Sequence, residues 1–222
     1  MPGVVSLVRS GVAFARGRGV VAAVRKAVGM YVAGRQSWYV IAEDLAHPVE
    51  AGADAAALDV RLATAGDLDW LASLGHHDRS TFNRWLEADH FLFVAFTGGQ
   101  PLGFRCVSTK PAPWLAGYFR LRPDQLYGID IFTAPARRRA GLARAIFART
   151  SPLLYARGFR ELVGVQRLDN ADSIAALARC GFVRTGCLTR HRFLWRVWFS
   201  FAPADEAPAR ASRHGEPALA GR

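Results

Sequence analysis

One stretch carries most of the information in this sequence: Ile131-Phe-Thr-Ala-Pro-Ala-Arg-Arg-Arg-Ala-Gly-Leu-Ala143. An apolar run ends at Thr133, Pro135 stops it, and a short basic loop with Gly141 leads into a helix-prone segment. Such a loop directs several backbone N–H groups, together with the positive end of the helix dipole, at one point. Gly141 would let a phosphate approach the backbone closely, so the stretch predicts an anion site. The alternative interpretation is a run of surface arginines before an amphipathic helix.

The sequence on both sides of this stretch predicts a mixed α/β domain. The turn-forming residues 97–100 join two apolar runs into a strand pair, and Thr64 and Asp67 supply a helix start. The final strand shows the period-two alternation of a half-buried sheet. The predicted strands are 58–62, 91–96, 102–108, 126–133, 162–166 and 193–201, and the predicted helices after the loop are 142–155 and 172–178.

Composition excludes several classes of protein. The chain has 222 residues, of which 51% are hydrophobic and 21% charged, so it builds a packed core and is not disordered throughout. It contains no run of about 18 apolar residues that would span a membrane. Its three cysteines (Cys106, Cys180 and Cys187) lack CxxC spacing and form no ligand pattern with the histidines. We therefore expect no disulfide scaffold, no metal, and a cytoplasmic location.

The chain is strongly basic. There are 29 Lys and Arg residues against 18 Asp and Glu residues, a net charge of +11, and Lys26 and Lys110 are the only lysines. Arginine suits phosphate because its planar fork donates two parallel hydrogen bonds. The partner could be nucleic acid, an anionic membrane or a phosphorylated cofactor, and composition does not choose among them.

Two motifs in order identify a family resemblance. Arg138-x-x-Gly141-x-Ala143 resembles the Q/R-x-x-G-x-G/A pyrophosphate loop of the GNAT acyltransferase superfamily. Downstream, Asn170 is followed by a short helical segment and then by Gly181-Phe182, the spacing found after the fifth strand of that family. Taken by itself, Asn170 would be a helix cap. The resemblance covers about residues 58–201.

The resemblance implies a splayed, mixed sheet of about six to seven strands flanked by helices, with coenzyme A wedged between strands four and five. It implies an acyl-CoA-dependent N-acyltransferase, most often an N-acetyltransferase, in which an amine attacks the thioester directly. The backbone of Ile131, Phe132 and Thr133 would pair with the pantetheine arm. Asn170, and less firmly Ser173, would contact the arm from the other side. The pyrophosphate would be held by Arg138, Arg139, Ala140, Gly141, Leu142, Ala143 and Arg144.

Two positions depart from the family pattern. Arg139 stands where many relatives have glycine, which puts the turn itself in doubt. Leu177 stands where the family often has the tyrosine that protonates the leaving thiolate, so water or another group would do this, or the chain would bind acyl-CoA without efficient turnover.

Asp130 is the candidate base for the attacking amine, because it is an acid on the strand that should line the cleft. The alternative is a structural carboxylate paired with an arginine. His76, His77 and His90 lie where relatives often place acceptor-binding elements, but histidines at such positions are also commonly surface residues.

The sequence divides into a basic, helical extension (1–57), the acyltransferase-like domain (58–201) and a disordered tail (202–222). Residues 1–35 hold six basic residues and no acid, and 20–32 show helical apolar periodicity. This segment fits peripheral contact with an anionic membrane, packing against the domain, or an organellar transit peptide. The acceptor would be a small-molecule or peptide amine. The alternative functions are an acyl-CoA-binding sensor and a nucleic-acid-binding module, although the chain lacks a nucleic-acid recognition motif.

Overall fold

The computed structural model describes residues 33–52, 58–138 and 140–204. They fall into two compact units, and the larger comprises residues 39–185. The smaller unit holds residues 33–38 and 186–204 of the described chain. No helix in these ranges is long and apolar enough to cross a membrane.

The described residues form eight strands and four α-helices. The strands are β1 (Ala33–Asp44), β2 (Asp59–Leu62), β3 (Phe91–Thr97), β4 (Gln100–Ser108), β5 (Gln125–Thr133), β6 (Glu161–Arg167), β7 (Val183–Phe193) and β8 (Arg196–Pro203). The helices are α1 (Leu68–Ser73), α2 (Arg79–Glu87), α3 (Leu142–Ala156) and α4 (Ala171–Arg179). Short 3-10 turns lie at Ala65–Asp67 and Pro135–Arg137.

The larger unit contains a mixed sheet in the strand order β2-β3-β4-β5-β6-β1, with the first residues of β7 beside β1. The strands β2 to β5 are antiparallel neighbours, whereas β5 and β6 are parallel. The predicted turn between β3 and β4 is present, with positive φ angles at Gly98 and Gly99. The family-like mixed sheet is therefore confirmed, and the two strands that the sequence did not predict, β1 and β7, bring the total to eight.

The core of this unit lies on both faces of the sheet. One buried cluster, which includes Phe93, Leu126 and Phe147, joins the sheet to α3 and α4. A second cluster, which includes Phe82 and Phe104, joins it to α1 and α2. Burial of these side chains stabilises each face by about 1.5–3 kcal/mol per large apolar residue.

The smaller unit is built around the antiparallel hairpin of β7 and β8, in which His191 lies opposite Trp198 and Phe193 opposite Arg196. The His191 and Trp198 rings stack, with centroids 5.2 Å apart. At the tip of the hairpin the Trp195 side chain is 84% exposed.

The described residues cover only part of the two predicted terminal segments. Residues 33–44 form β1, whereas a helical extension was expected over 1–57, and residues 39–44 of this strand belong to the larger unit. A strand forms here because Trp38, Val40 and Ala42 alternate into a buried face. The predicted helical segment 20–32, and residues 205–222 of the predicted tail, lie outside the described residues. The division at residues 57 and 201 stays a prediction.

Candidate active site

The candidate site lies where two parallel strands separate. β5 and β6 pair only from Gln125 with Glu161 to Tyr127 with Val163, although both strands continue beyond those residues. On its other edge β5 carries an irregularity, because Cys106 pairs with Asp130 whereas Val107 pairs with Gly128. The extra residue bends β5. A cavity of about 1220 Å³ opens between the separated strands.

The fold brings most of the residues predicted for the site to this cavity. The residues of that set that line it are Asp130, Ile131, Phe132, Thr133, Arg138, Gly141, Leu142, Ala143, Arg144, Asn170 and Ser173. Ala140 is described but does not line the cavity, and Arg139 lies outside the described residues.

The basic loop adopts the geometry of an anion site at the start of a long helix. Pro135 opens a 3-10 turn, and Gly141 precedes the 15-residue helix α3 with a φ of 70°. A residue with a side chain is strained at this φ, which explains the glycine. The first turn of α3 leaves N–H groups without an intrahelical partner, so Gly141 and these amides present positive charge at the edge of the cavity.

Two arginines flank this helix start. The Arg138 Nε donates to the Thr133 carbonyl oxygen at 3.4 Å, and its guanidinium lies 5.8 Å from the centroid of the Phe132 ring. The Arg144 Nε donates to the Glu50 carbonyl oxygen at 2.9 Å. Both side chains are thus oriented beside the loop and retain other N–H groups for a phosphate.

On the opposite side of the cavity, Asn170 caps helix α4. Its Oδ1 accepts a hydrogen bond from the Ser173 backbone N–H at 3.2 Å, which is the capping role weighed from the sequence. The Ser173 hydroxyl in turn bonds the Gln166 Oε1 at 3.1 Å. The cap occupies the side-chain oxygen of Asn170, so a ligand contact by this side chain would use its NH₂ group.

Asp130 contacts two histidines in place of the arginine considered from the sequence. Its Oδ2 lies 3.0 Å from His76 Nε2 and 2.7 Å from His77 Nε2. We call these three residues the histidine–aspartate cluster. An ionised carboxylate only accepts, so both bonds require the Nε2 proton of the imidazole.

Aromatic rings enclose the cluster. The His76 ring stacks on Phe132, with centroids 4.3 Å apart and planes 18° apart, and it lines the cavity. The His77 ring meets the edges of Phe82 and Trp85 at centroid distances of 5.8 and 5.1 Å, and it does not line the cavity. The two rings are therefore fixed differently: His76 faces the cleft, and His77 lies behind it.

The cluster also bears on the prediction that the chain holds no metal. Its three possible ligand atoms lie within 4.8 Å of one another, so within the described ranges this group could hold a cation. His90, the third histidine considered, does not line the cavity, and burial lowers its pKa.

A buried ion pair lies beside the cavity, which its arginine, Arg105, lines. The Arg105 Nη2 donates to the Glu43 Oε2 at 2.6 Å, and its Nη1 donates to the hydroxyls of Thr150 and Ser151 at 2.6 and 2.9 Å. The Arg105 guanidinium also lies 4.3 Å from the centroid of the Phe147 ring. This network ties β1, β4 and α3 together beneath the site.

Two apolar or neutral groups complete the lining near the reactive end. Leu177, at the position where a tyrosine was discussed, is buried and lines the cavity. Cys106 lies opposite Asp130 on β4, and burial, with the Asp130 charge adding to it, raises the pKa of its thiol far above the usual range. Neither group supplies a proton donor comparable to a tyrosine at neutral pH.

Sequence reasoning missed the roles of Arg105 and Glu43 and did not connect the histidines to Asp130. Glu43 is the first acid of the chain and lies in a strand that the sequence did not predict. The adjacent histidines were visible, but no local signal placed them against a carboxylate more than 50 residues away.

Comparison with known proteins agrees with this geometry. The chain belongs to the acetyltransferase (GNAT) family, whose model matches residues 62–182.

One curated relative matches a smaller part of the chain than the family model does. The chain is 31% identical over 101 residues to a mycothiol acetyltransferase of Amycolatopsis mediterranei, an alignment that covers 45% of this chain and 32% of that protein. The aligned region thus spans about a third of the length of that relative.

Two solved structures share the fold. A GCN5-related N-acetyltransferase from Sphaerobacter thermophilus gives a TM-score of 0.52 at 14% identity, with 78% of this chain and 56% of that chain covered. The glucosamine N-acetyltransferase region of a fungal multi-domain GH3 β-N-acetylglucosaminidase gives 0.53 at 15% identity, with 79% and 22% covered. At these identities the likeness concerns the fold alone.

Proposed function

We propose that the protein is an acetyl-CoA-dependent N-acetyltransferase that moves an acetyl group to the amine of a small molecule or peptide. The observation that carries this proposal is the cleft between β5 and β6, which has the basic loop and the start of α3 at one end and Asp130 at the other. The family to which the chain belongs, and the acetyltransferase name of its curated relative, support the same reaction.

The residues of the cleft fit an acyl-CoA in three respects. In the described chain β5 does not pair with β6 from Gly128 to Thr133, so the backbone of this edge is available to a pantetheine arm. The amides after Gly141, with Arg138 and Arg144, offer positive charge to a pyrophosphate. Asp130 lies on the same strand, three residues before Thr133, where the thioester would be placed.

In the proposed reaction the amine nitrogen attacks the thioester carbonyl, the N–C bond forms and the C–S bond breaks. An attacking primary ammonium carries three N–H protons: one stays in the amide, one passes to a base in the cleft, and one reaches the leaving sulfur, which departs as the thiol. Because Leu177 stands at the tyrosine position, we propose that water relays this last proton to the sulfur.

Calorimetry with acetyl-CoA and a thiol-release assay test the function together. The assay would use an aminoglycoside, an amino sugar, a polyamine and an alanine-terminated peptide as acceptors. We expect acetyl-CoA to bind and thiol release to rise with at least one amine. Failure of acetyl-CoA to bind would overturn the proposal.

Leu177 favours a second candidate function, an acyl-CoA-binding sensor without turnover. A leucine offers no proton to the leaving thiolate, and it lines the cavity at that position. Tight binding of acetyl-CoA without thiol release on any of the four amines would support the sensor and reject the transferase.

We also propose peripheral contact with an anionic membrane through residues 1–35, which hold six basic residues and no acid. The exposed Trp195 at the hairpin tip, next to Arg196, supports this location because tryptophan favours the membrane interface. Each basic residue near an anionic surface contributes about 1 kcal/mol, so binding should weaken with salt. Cosedimentation with phosphatidylserine vesicles at low and high salt, with and without residues 1–32, would test it; equal binding of both proteins would refute a role for the segment.

A further inference from the structure

We propose that His76 is the group that takes the proton from the acceptor ammonium, and that Asp130 and His77 hold it in the required tautomer. This inference rests on the proposed function and changes the role expected for Asp130. Asp130 becomes a positioning carboxylate, and the imidazole that lines the cleft becomes the base.

The hydrogen bonds of the cluster determine which nitrogen is basic. Because the Asp130 Oδ2 accepts from His76 Nε2 at 3.0 Å, the Nε2 atom carries the imidazole proton. The remaining nitrogen of His76, Nδ1, then holds a lone pair and can accept a proton. A carboxylate that fixes the tautomer in this way also stabilises the imidazolium that forms afterwards.

Packing distinguishes His76 from His77, although both bond the same carboxylate oxygen. His76 is the more exposed of the two and lines the cavity, with its ring held on Phe132 of the strand that would border the thioester. His77 lies among Phe82, Trp85 and Phe104 and does not reach the cavity. His77 therefore acts through Asp130: its second hydrogen bond keeps the carboxylate oriented towards His76.

The charged and titratable groups around His76 come from four parts of the chain. Asp130 belongs to β5, His77 to the segment between α1 and α2, and Cys106 lies opposite Asp130 on β4. The guanidinium of Arg138 lies 5.8 Å from the ring of Phe132, on which His76 stacks. Asp130 is the only carboxylate among these four groups, and it lies in hydrogen-bond contact with His76.

The proton balance of the step is simple. The ammonium N–H bond breaks, its electron pair stays on nitrogen for attack at the thioester carbon, and the proton moves to His76 Nδ1. The imidazolium then releases that proton to water when the product leaves. The step requires no oxidant, reductant or metal.

Three variants at neutral and high pH test the assignment, with an acceptor that the thiol-release assay has identified. His76→Gln keeps a donor for Asp130 but removes the base, so kcat/KM at pH 7 should fall about 10²–10⁴-fold. The loss should shrink at high pH, where the amine is already neutral, and the KM for acetyl-CoA should be unchanged. The comparison variant His77→Gln, at the adjacent positioning residue, should lose less than His76→Gln, because a glutamine amide can still donate to Asp130 and the proposed base remains in place.

The outcomes separate the possible bases. If His76→Gln stays within a few fold of the parent protein while Asp130→Asn is impaired, Asp130 is the base and the inference is wrong. Equal losses in the two histidine variants would also contradict it, because they would indicate a common structural role. Abolition of the parent activity by a chelator would instead assign the cluster to a bound metal and overturn the proposal.

A measurement without any acceptor decides the tautomer directly. Long-range proton–nitrogen NMR of the histidine side chains should show the Nε2–H tautomer for His76 in the parent protein, with a mixture of tautomers in Asp130→Asn. An Nδ1–H tautomer of His76 in the parent protein would refute the inference. This result is independent of the proposed function, which fails only if acetyl-CoA does not bind or no amine is acetylated.

Discussion

Replacing Gly141 by Asp and, separately, by Asn isolates the charge that the loop offers to an anion. The two side chains have the same shape, so the pair differs in one negative charge at the start of α3. Gly141 has a φ of 70°, and a Cβ built there meets no atom within 4 Å. After glycine, Asn and Asp are among the residues that adopt this left-handed conformation most readily, and its cost for a residue with a side chain is about 1–2 kcal/mol. Both variants should therefore fold.

The expected effect on binding follows from Coulomb's law. Two unit charges roughly 6 Å apart repel by about 3 kcal/mol at an effective dielectric constant of about 20. Gly141 is exposed, so solvent and salt reduce this to about 1–2 kcal/mol. That free energy corresponds to an increase of about 5- to 30-fold in the Kd of acetyl-CoA for Gly141→Asp relative to Gly141→Asn.

Calorimetry on both variants, with acetyl-CoA and with acetyl-pantetheine as ligands, is the decisive assay. Acetyl-pantetheine lacks the pyrophosphate, so its Kd should be the same for the two variants. Added salt should narrow the difference seen with acetyl-CoA. Equal Kd values for acetyl-CoA in the Asp and Asn variants at low salt would refute the placement of the pyrophosphate at this loop.

Other predictions concern stability and the reactivity of a thiol. Glu43→Ala should lower the free energy of unfolding in urea by about 3–5 kcal/mol, because Arg105 is left buried without its partner, and a loss below about 1 kcal/mol would contradict this account. The Arg61 guanidinium holds the pKa of Asp67 well below its usual range, so this carboxylate stabilises the fold above its unfolded pKa of about 4. That contribution is lost as the pH falls from the unfolded pKa through the lower folded pKa. Between pH 6 and pH 3, the free energy of unfolding in urea should therefore fall less for Asp67→Asn than for the parent protein. Equal falls in the two proteins would disprove the linkage. The Cys106 thiol, fully buried with a raised pKa, should resist a chromogenic disulfide reagent until the protein unfolds, and fast labelling that disappears in Cys106→Ala would contradict its burial.

Local sequence was sufficient for the parts of the site that depend on neighbouring residues. The basic loop, the glycine before α3 and the Asn170 cap all act within a few residues of the chain. Their physical requirements, namely a positive φ, a helix start and a capping oxygen, belong to single residue types. The ordered pair of motifs therefore predicted the family and the mixed sheet, both of which were confirmed.

The sequence failed to predict β1, where the local pattern is weak and pairing with distant strands decides the structure. β1 was missed because its buried residues alternate within a stretch that also contains Arg35, Gln36 and Asp44, so its apolar signal is diluted. A strand is stabilised by its neighbours in the sheet, and those neighbours are distant in sequence.

Only the tertiary structure decided the chemistry at the reactive end of the cleft. His76 and His77 reach Asp130 across 54 and 53 residues, and Arg105 reaches Glu43 across 62. The sequence position of a polar side chain gives no periodic signal that indicates its partner. A buried charge nevertheless needs a partner, because pairing offsets the free energy of its desolvation. The sequence by itself was enough to predict an anion site, because that site would be made from consecutive backbone. Only the tertiary structure brings His76 and His77 to the same Asp130 oxygen, through the bend in β5 and the packing of α1 and α2.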